Sequence, residues 1–258
     1  MSTTPKKELG QHFLADENIL GVIGRLAELD ADDVVLEIGP GHGVLTSYLA
    51  DRVARVHAVE LDRSLEGSLH ELGSRANVDL HFGDALSLDL AALEPAPTKL
   101  VANLPYNIAT PLVAESIDGL PTLGSWCVMV QREVADRFFA QPRTKAYGAV
   151  SVLLQLAAEK TGFHPVSRNV FRPRPNVDSA LVAFGRRGEL PEDYPRVKAV
   201  IGAAFAHRRK QLPNSIELAG LAPAHDVAAA LATIGREPSA RAESLTPEEF
   251  VALTRALG

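Results

Sequence analysis

The stretch Val34-Val35-Leu36-Glu37-Ile38-Gly39-Pro40-Gly41-His42-Gly43 decides the fold of this chain. Its first five residues form a short, mostly apolar run, which predicts a buried parallel strand. Three alternating glycines follow, and a helical pattern begins at residue 44. Glycines at such a strand-to-helix turn let the backbone bend sharply and approach a ligand closely. The stretch therefore predicts the first unit of an α/β sheet with a ligand cradle at its edge.

Strand and helix patterns alternate on both sides of this stretch. A helix capped by Asp16 precedes it. Further strands are predicted at 55–59, 78–82, 100–102, 126–130, 157–163 and 180–184, and further helices at 44–50, 65–72, from Thr110-Pro111 onward and at 132–140. Strict alternation of this kind predicts a mainly parallel, doubly wound, Rossmann-like sheet.

A change of pattern near residue 188 predicts a second domain. Residues 185–195 are polar and contain Gly and Pro, as linkers often do. The pattern is helical from Arg196 onward, and Thr246 with Glu249 forms a capping box at one helix start. We predict an α/β domain over residues 1–188 and a small helical domain over residues 189–258.

Composition narrows the class of protein. No apolar run approaches the roughly 20 residues of a membrane span, and residues 1–8 lack the apolar core of a signal peptide. We expect a cytoplasmic protein without membrane contact. Cys127, the single cysteine, lies in an apolar run and is expected to be a core residue. The eight histidines lack the spacing of a metal site, so we expect no metal.

The net charge of −6 hides an asymmetry along the chain. Residues 164–210 contain ten Lys or Arg against four Asp or Glu, a surplus of +6, so the remainder carries −12. A basic segment on an acidic protein can form a local phosphate-binding face. An ordinary solvated surface is the alternative.

Two acidic residues follow predicted strands at the cradle's edge of the sheet. Glu60 can accept hydrogen bonds from both hydroxyls of a ribose, and Asp84 can accept one from an adenine amino group. The arrangement suits a methyltransferase that binds S-adenosyl-L-methionine, and it also suits an NAD-dependent dehydrogenase. A purely structural glycine turn is the third alternative. The chain has no Gly-Lys-Ser/Thr, which excludes a P-loop.

Asn103-Leu104-Pro105-Tyr106 closes the next strand at the same edge. An aromatic amine is a poor nucleophile because its lone pair is delocalised into the ring. The Asn103 side-chain oxygen and the Leu104 carbonyl can accept both amine hydrogens, which favours a pyramidal nitrogen. Pro105 stiffens the turn, and Tyr106 offers a face for a stacked base. A proline turn with a core tyrosine is the structural alternative.

These residues resemble one family, the KsgA-type ribosomal RNA small-subunit adenine dimethyltransferases, also called the RsmA family. The resemblance covers nearly the whole chain in the family's order. Beyond the cradle, Glu60, Asp84 and the Asn-Leu-Pro-Tyr turn, it rests on Leu9-Gly10-Gln11-His12-Phe13-Leu14, Lys145-Ala146-Tyr147-Gly148, Phe171-Arg172-Pro173-Arg174-Pro175-Asn176-Val177-Asp178-Ser179-Ala180 and Ala204-Phe205-Ala206-His207-Arg208-Arg209-Lys210-Gln211-Leu212-Pro213-Asn214-Ser215. His12 stands where many members have Asn.

The resemblance implies a seven-stranded class I methyltransferase sheet, a helical C-terminal rRNA-binding domain and S-adenosyl-L-methionine as cofactor. It implies that a monomer dimethylates two adjacent adenosines near the 3′ end of small-subunit (16S) rRNA in a ribosomal subunit precursor. It assigns the cofactor site to His12, Leu14, Gly39, Glu60, Asp84 and Asn103. It assigns catalysis to Asn103, Leu104, Pro105, Tyr106 and Phe171, the last as a second stacking face opposite Tyr106.

The resemblance also gives the basic segment a role. The expected phosphate contacts are Arg172, Arg174, Arg208, Arg209 and Lys210. For each of them a solvated surface position is the alternative. For Phe13 and Phe171 the alternative is core packing, although both lie in polar or proline-rich stretches.

Three other functions stay open at this point. A resistance-type methyltransferase of large-subunit rRNA shares the cradle and the turn, but the segment 171–180 and the basic run after His207 favour small-subunit rRNA. A ribosome-assembly or transcription factor could keep the fold and bind RNA without catalysis. The presence of Asn103 and Tyr106 argues against a loss of catalysis. A dehydrogenase would need a hydride-transfer residue set that the sequence does not show.

Overall fold

The computed structural model describes residues 12–14 and 16–258. Residues 1–8, and residues 9–11 of the N-terminal motif, lie outside the described residues. The chain divides into two compact units, Met1–Ala135 with Lys160–Arg186, and Asp136–Glu159 with Arg187–Gly258. The predicted domains are 1–188 and 189–258. They place residues 136–159 in the first domain, whereas the structure places them in the second unit. Those residues lie there because their helix packs against later helices of the same unit.

The first unit is built around the sheet. Its elements, in chain order, are β1 (Phe13–Leu14), α1 (Glu17–Leu26), β2 (Val34–Ile38), α2 (Val44–Ala50), β3 (Arg55–Glu60), α3 (Glu66–Gly73), β4 (Val78–Phe82), β5 (Lys99–Asn103), α4 (Ala109–Gly119), β6 (Ser125–Gln131), the start of α5 (Arg132–Phe138), most of β7 (Ala158–Val166), β8 (Phe171–Arg172) and β9 (Ser179–Arg186). Every predicted strand is present, within a few residues of its predicted bounds.

The strand order confirms the predicted seven-stranded, doubly wound sheet. The order is β4-β3-β2-β5-β6-β9-β7, with β4 to β6 parallel and β9 antiparallel to β6. The chain moves from β2 outward to β4 and then returns to the other side of β2 as β5. The switch point between β2 and β5 is where open α/β sheets bind ligands, beyond the carboxyl ends of the strands.

The core of the first unit lies on both faces of this sheet. All five residues of β2 are buried, as expected for a central parallel strand covered by helices. Cys127 on β6 is 1% exposed, and burial raises the pKa of its thiol to about 12, so it is the core residue that the sequence predicted. Among the described residues, no helix has both the length and the apolar character needed to cross a membrane.

Local sequence signals predicted the start of α1 correctly and that of α4 incorrectly. The Asp16 side chain accepts a hydrogen bond from the Asn18 amide, which confirms it as the N-cap of α1. Thr110 was expected to cap its helix, but α4 begins at Ala109 with Ile108 at the N-cap. The predicted cap is two residues too late, because Pro is tolerated anywhere in the first turn, where amides have no helical partner.

The second unit is helical. Its helices are the end of α5, then α6 (Ala149–Ala157), α7 (Tyr194–Ala206), α8 (Leu212–Leu218), α9 (Ala224–Thr233) and α10 (Pro247–Ala256). Thr246 and Glu249 form the predicted capping box at the start of α10. The Tyr147 hydroxyl donates to the Leu245 carbonyl at 2.8 Å, which holds the segment before α6 near the start of α10. The predicted linker is shorter than expected, because β9 extends to Arg186 and α7 begins at Tyr194.

Candidate active site

A cavity of about 250 Å³ opens at the switch point of the sheet, within the first unit. It lies beyond the carboxyl ends of β2, β3, β4 and β5. The residues predicted for the cofactor and for the amine line it together, and they are His12, Leu14, Gly39, Glu60, Asp84, Asn103, Leu104, Pro105 and Tyr106. Residues from five separate parts of the sequence therefore meet at one place. This is expected of residues at the carboxyl ends of parallel strands, which share one edge of the sheet.

The cradle glycines adopt backbone conformations that other residues rarely adopt. Gly39 and Gly41 have φ angles of +75° and +60°, in the left-handed region that favours glycine. A Cβ atom on Gly41 would lie 2.7 Å from Cδ1 of Phe13, and one on Gly39 would lie 3.1 Å from Cγ of Pro105. The absence of side chains keeps the turn open where it approaches the N-terminal strand and the Asn-Leu-Pro-Tyr turn.

Glu60 ends β3 and is almost fully buried beside the cradle. Its Oε2 accepts a hydrogen bond from the Gly41 amide at 3.1 Å, and its Oε1 accepts one from the Asp62 amide at 2.8 Å. Burial raises the pKa of Glu60, and these two amides oppose that rise. Each carboxylate oxygen keeps a second lone pair, so Glu60 can still accept hydrogen bonds from a ligand.

Asp84 and Leu14 also line the cavity. Asp84 follows β4 and is exposed, and its Oδ1 accepts a hydrogen bond from the Leu86 amide at 2.9 Å. Its other oxygen can accept from a ligand. Leu14 is 8% exposed and belongs to the apolar core under the sheet edge. Its position gives the cavity an apolar wall.

The Asn103 side chain is oriented by the N-terminal segment. Its Nδ2 donates a hydrogen bond to the His12 carbonyl at 3.0 Å. Since the amide nitrogen is used in this way, Oδ1 is left as the hydrogen-bond acceptor of the side chain. His12 is itself tied to a later loop, because its Nδ1 lies 2.8 Å from the Pro173 carbonyl oxygen.

Leu104 and Pro105 form the turn after β5. The Leu104 amide donates to the Met129 carbonyl at 3.0 Å, which fixes the turn to β6, and the Leu104 side chain is buried. In the part of the chain that the structure describes, no amide donates to the Leu104 carbonyl. The Pro105 carbonyl accepts from the Ile108 and Ala109 amides and so joins the turn to α4.

Tyr106 lies at the mouth of the cavity with its ring half-buried. Its hydroxyl lies 2.7 Å from the Ser179 Oγ, at the start of β9. The His12 ring contacts it with a centroid distance of 5.4 Å and a tilt of 36°. Burial raises the pKa of Tyr106, so the hydroxyl is neutral at physiological pH. The ring is therefore held by two neighbours that are far from it in sequence.

Phe171 contradicts its prediction as a second stacking face. Its side chain is 0% exposed and packs in the core with Leu14, Ile23 and Leu181. The proline-rich context suggested exposure, but β8 pairs antiparallel with β1, and Leu14 is opposite Phe171. That pairing turns Phe171 inward, so core packing, the alternative, describes it correctly.

Two residues of the site, Ser179 and Glu37, were missing from the prediction, and a third, Phe13, had no role assigned to it. Ser179 supports Tyr106, and its position within the segment 171–180 was the available signal. Phe13 closes the cradle and packs on His42 with a centroid distance of 4.2 Å. Glu37 is 1% exposed, lines the cavity and has an Oε2 atom without a hydrogen-bond partner among the described residues. Glu37 lies in the quoted stretch, but its strand position suggested packing only.

The predicted phosphate contacts are divided between the two units. Arg172 and Arg174 are exposed in the first unit, and Arg208, Arg209 and Lys210 are exposed in the second. Arg208 also has a structural role, since its Nη2 donates to the Tyr147 carbonyl at 2.8 Å and to the Lys145 carbonyl at 3.3 Å. Arg209 and Lys210 are the simpler candidates for an RNA contact.

The sheet order and the cavity at its switch point define the class of this protein, a methyltransferase with a class I fold. The family is specified further by the sequence as a whole. A model of the family described as ribosomal RNA adenine dimethylase matches residues 2–257, and the chain belongs to that family.

Relatives and solved structures agree with this assignment. The chain is 50% identical to the ribosomal RNA small subunit methyltransferase A of Rubrobacter xylanophilus over 97% of this chain and 94% of the relative, and 45% identical to that of Lactiplantibacillus plantarum over 98% and 90%. A dimethyladenosine transferase from Plasmodium falciparum shares the fold, with a TM-score of 0.73 and 22% identity over 94% and 96% of the two chains. The 23S rRNA methyltransferase ErmE is similar with a TM-score of 0.66 and 30% identity over 95% and 99%.

Proposed function

We propose that this protein uses S-adenosyl-L-methionine to dimethylate the exocyclic amines of two adjacent adenosines near the 3′ end of small-subunit (16S) rRNA. The observation that carries the proposal is the Asn103 side chain, which the His12 carbonyl orients at the mouth of a cavity lined by Glu60 and Asp84. The names of the relatives, which specify the small subunit, support the choice of RNA.

The cavity fits this cofactor. Gly41 leaves space that a Cβ atom would fill against Phe13, so a ligand can approach the turn closely. Glu60 and Asp84 lie at strand ends with acceptor capacity for the ribose and the adenine amino group. Glu37 supplies a third carboxyl, and among the described lining residues there is no Lys or Arg. A nucleoside with a positively charged sulfur is the kind of ligand that such a lining favours.

The cofactor supplies an electrophilic methyl group on a sulfonium. The residues of this chain prepare the nucleophile. Asn103 Oδ1 and the Leu104 carbonyl accept the two hydrogens of the adenine amine, which holds the nitrogen pyramidal with its lone pair directed into the cavity. Donors or acceptors fixed in advance in this way need no reorganisation during the reaction. The amine, once methylated, loses a proton to water, so no strong base is required.

Tyr106 positions the base. The adenine has to leave its RNA stack, which costs a few kcal/mol, and an aromatic face returns roughly 1–3 kcal/mol per stacked base. The Ser179 hydroxyl and the His12 ring hold Tyr106 in place for this contact. Phe171 is buried and takes no part in this contact.

The exposed basic residues extend the substrate contact to the RNA backbone. We assign phosphate contacts to Arg172 and Arg174 in the first unit and to Arg209 and Lys210 in the second. Such contacts determine affinity and orientation, whereas the cavity selects the base. The substrate would be a ribosomal subunit precursor in the cytoplasm, and the protein would act as a monomer.

The test is methyl transfer from labelled S-adenosyl-L-methionine to undermethylated ribosomal subunits. We expect label in the RNA of the small subunit and none in that of the large subunit. The likeness to ErmE makes the large subunit the competing substrate. Label confined to large-subunit RNA would replace the proposed substrate with that alternative, and no label in either RNA would argue for RNA binding without catalysis.

A further inference from the structure

Glu37 is the one buried carboxyl of the described cavity lining whose Oε2 lacks a hydrogen-bond partner. It lies in β2, between the apolar Leu36 and Ile38, and is 1% exposed. An ionised carboxylate in such a position is unfavourable, because burial removes its charge from the solvent and only the Thr46 hydroxyl opposes that cost. The arrangement is stable only if the carboxyl is neutral, or if a positive charge enters the cavity.

Among the described residues that line the cavity, no Lys or Arg supplies a positive charge beside Glu37. Glu60, on the neighbouring strand β3, is itself an acid, and its charge raises the pKa of Glu37 further. On α2, Thr46 offers only a hydroxyl, and the part of β5 after Leu100 is apolar up to Asn103. The remaining titratable lining groups are Asp84, Tyr106, His12 and His42. His12 is engaged with Pro173, and His42 packs on Phe13.

We propose that Glu37 is neutral in the empty cavity and gives up its proton when the methyl donor binds, so that its carboxylate neutralises the donor's positive charge. This inference rests on the proposed function, because it takes S-adenosyl-L-methionine as the ligand. The exchange balances: one proton leaves the carboxyl for the solvent, and one cationic group takes its place beside the carboxylate. No bond other than the O–H bond is broken.

The ionisation of Glu37 is consistent with this exchange. Burial raises the pKa of Glu37 to about 8, the Thr46 hydroxyl opposes the rise, and the charge of Glu60 adds to it. At pH 7 the empty protein therefore holds the proton on Glu37. A cation within a few ångström favours the charged form and lowers the pKa again. Between those two pKa values, binding of the donor releases a proton.

Two groups of the donor could supply the charge, its sulfonium and its α-ammonium. S-adenosylhomocysteine keeps the ammonium and lacks the sulfonium, so the two ligands separate these sources. If the sulfonium is responsible, Glu37 also distinguishes the methyl donor from the spent product, because the product no longer compensates the carboxylate.

The test is calorimetric titration of the whole protein with each ligand at pH 7, in buffers of different ionisation enthalpy. The dependence of the observed heat on the buffer gives the number of protons released. We expect close to one proton with S-adenosyl-L-methionine, and a release that falls toward zero at pH 9.5, where Glu37 is already ionised. If S-adenosylhomocysteine also releases a proton on binding, the ammonium is the charge that Glu37 neutralises. If only S-adenosyl-L-methionine releases one, the sulfonium is that charge.

Two variants complete the test. Glu37→Gln keeps the shape of the side chain, and we expect it to bind the donor without proton release and about ten- to a hundredfold more weakly. Glu66→Gln, a change of an exposed glutamate on α3, should release protons like the parent. Donor binding without buffer dependence in the parent, or an unchanged release in a folded Glu37→Gln, overturns the inference. If neither ligand binds the parent, the proposed function fails first, which is a distinguishable result.

Discussion

The side-chain amide of Asn103 donates a hydrogen bond to the backbone carbonyl of His12, 91 residues earlier in the chain. This bond decides which end of the Asn103 amide is free to meet a substrate, and it makes the N-terminal segment part of the site. The orientation of the acceptor thus depends on β1, which pairs with β8 outside the main sheet.

Asn103→Ala should lower the rate of methyl transfer roughly a hundredfold, the usual cost of removing one preorganised hydrogen-bonding group from a reacting centre. The variant should remain folded, since Asn103 is only partly buried. Single-turnover transfer to undermethylated small subunits measures the effect. Asn176→Ala, an exposed asparagine in the first unit, is the matched control and should react like the parent. Equal rates for both variants would remove Asn103 from the reaction.

Tyr106→Ala should slow methylation and accumulate monomethyladenosine, because a monomethylated amine has one hydrogen left as an anchor and depends more on stacking. Tyr106→Phe and Ser179→Ala should both have small effects of similar size, since each removes the same hydrogen bond, worth about 0.5–1.5 kcal/mol. Mass spectrometry of digested rRNA gives the ratio of monomethyl to dimethyl adenosine. A parent-like ratio in Tyr106→Ala would mean that the ring only packs.

Phe171→Ala should destabilise the first unit by about 3–5 kcal/mol, the cost of deleting a buried phenyl ring. Phe171→Leu retains most of the apolar volume and should cost less. Urea unfolding measures both. The ratio of methylated products in folded Phe171→Leu should equal that of the parent, and accumulation of monomethyladenosine there would restore Phe171 as a stacking residue.

Residues that follow strands were the predictable part of this molecule. Gly39, Glu60, Asp84 and Asn103 each lie at or just after the end of a recognisable strand, and parallel strands bring their carboxyl ends to one edge. The sequence therefore predicted which residues meet at the edge of a mainly parallel sheet.

Side-chain direction in short or unusual segments was not predictable. Phe171 was misassigned because β1 and β8 are two residues each, too short to show an alternating pattern. The helix α6 was missed because seven of its nine residues are apolar, so the segment resembles a buried strand as much as a helix. Ser179 and His12 act through contacts distant in sequence, which one chain alone does not reveal.

Glu37→Gln should change how stability depends on pH. The pKa of Glu37 is about 8 in the folded protein against an ordinary 4.5, so its contribution to stability is complete below pH 4.5 and is lost as the pH rises through 8. The loss is at most about 1.4 kcal/mol per pH unit across that window. The melting temperatures of both proteins are measured at pH 5.5, 7 and 8.5. We expect the melting temperature of Glu37→Gln to rise relative to that of the parent as the pH increases. Parallel curves would mean that Glu37 is ionised in the empty protein.

Arg209→Ala combined with Lys210→Ala should weaken RNA binding and flatten its salt dependence. Each phosphate contact contributes roughly 0.7–0.9 to the slope of log affinity against log salt. Arg208 is left unchanged because it supports the Lys145 and Tyr147 carbonyls. The control is Arg255→Ala, an exposed arginine in the same unit. If the double variant and the control have the same slope, residues 209 and 210 are ordinary surface.

The most direct test of the account is to map the modified nucleotides after reaction of the protein with S-adenosyl-L-methionine and undermethylated small subunits. We predict dimethylation of the exocyclic amine at two adjacent adenosines near the 3′ end of the small-subunit RNA, and none when Asn103 is replaced by Ala. Methylation at any other atom or position, or full dimethylation by the Asn103→Ala variant, would contradict it.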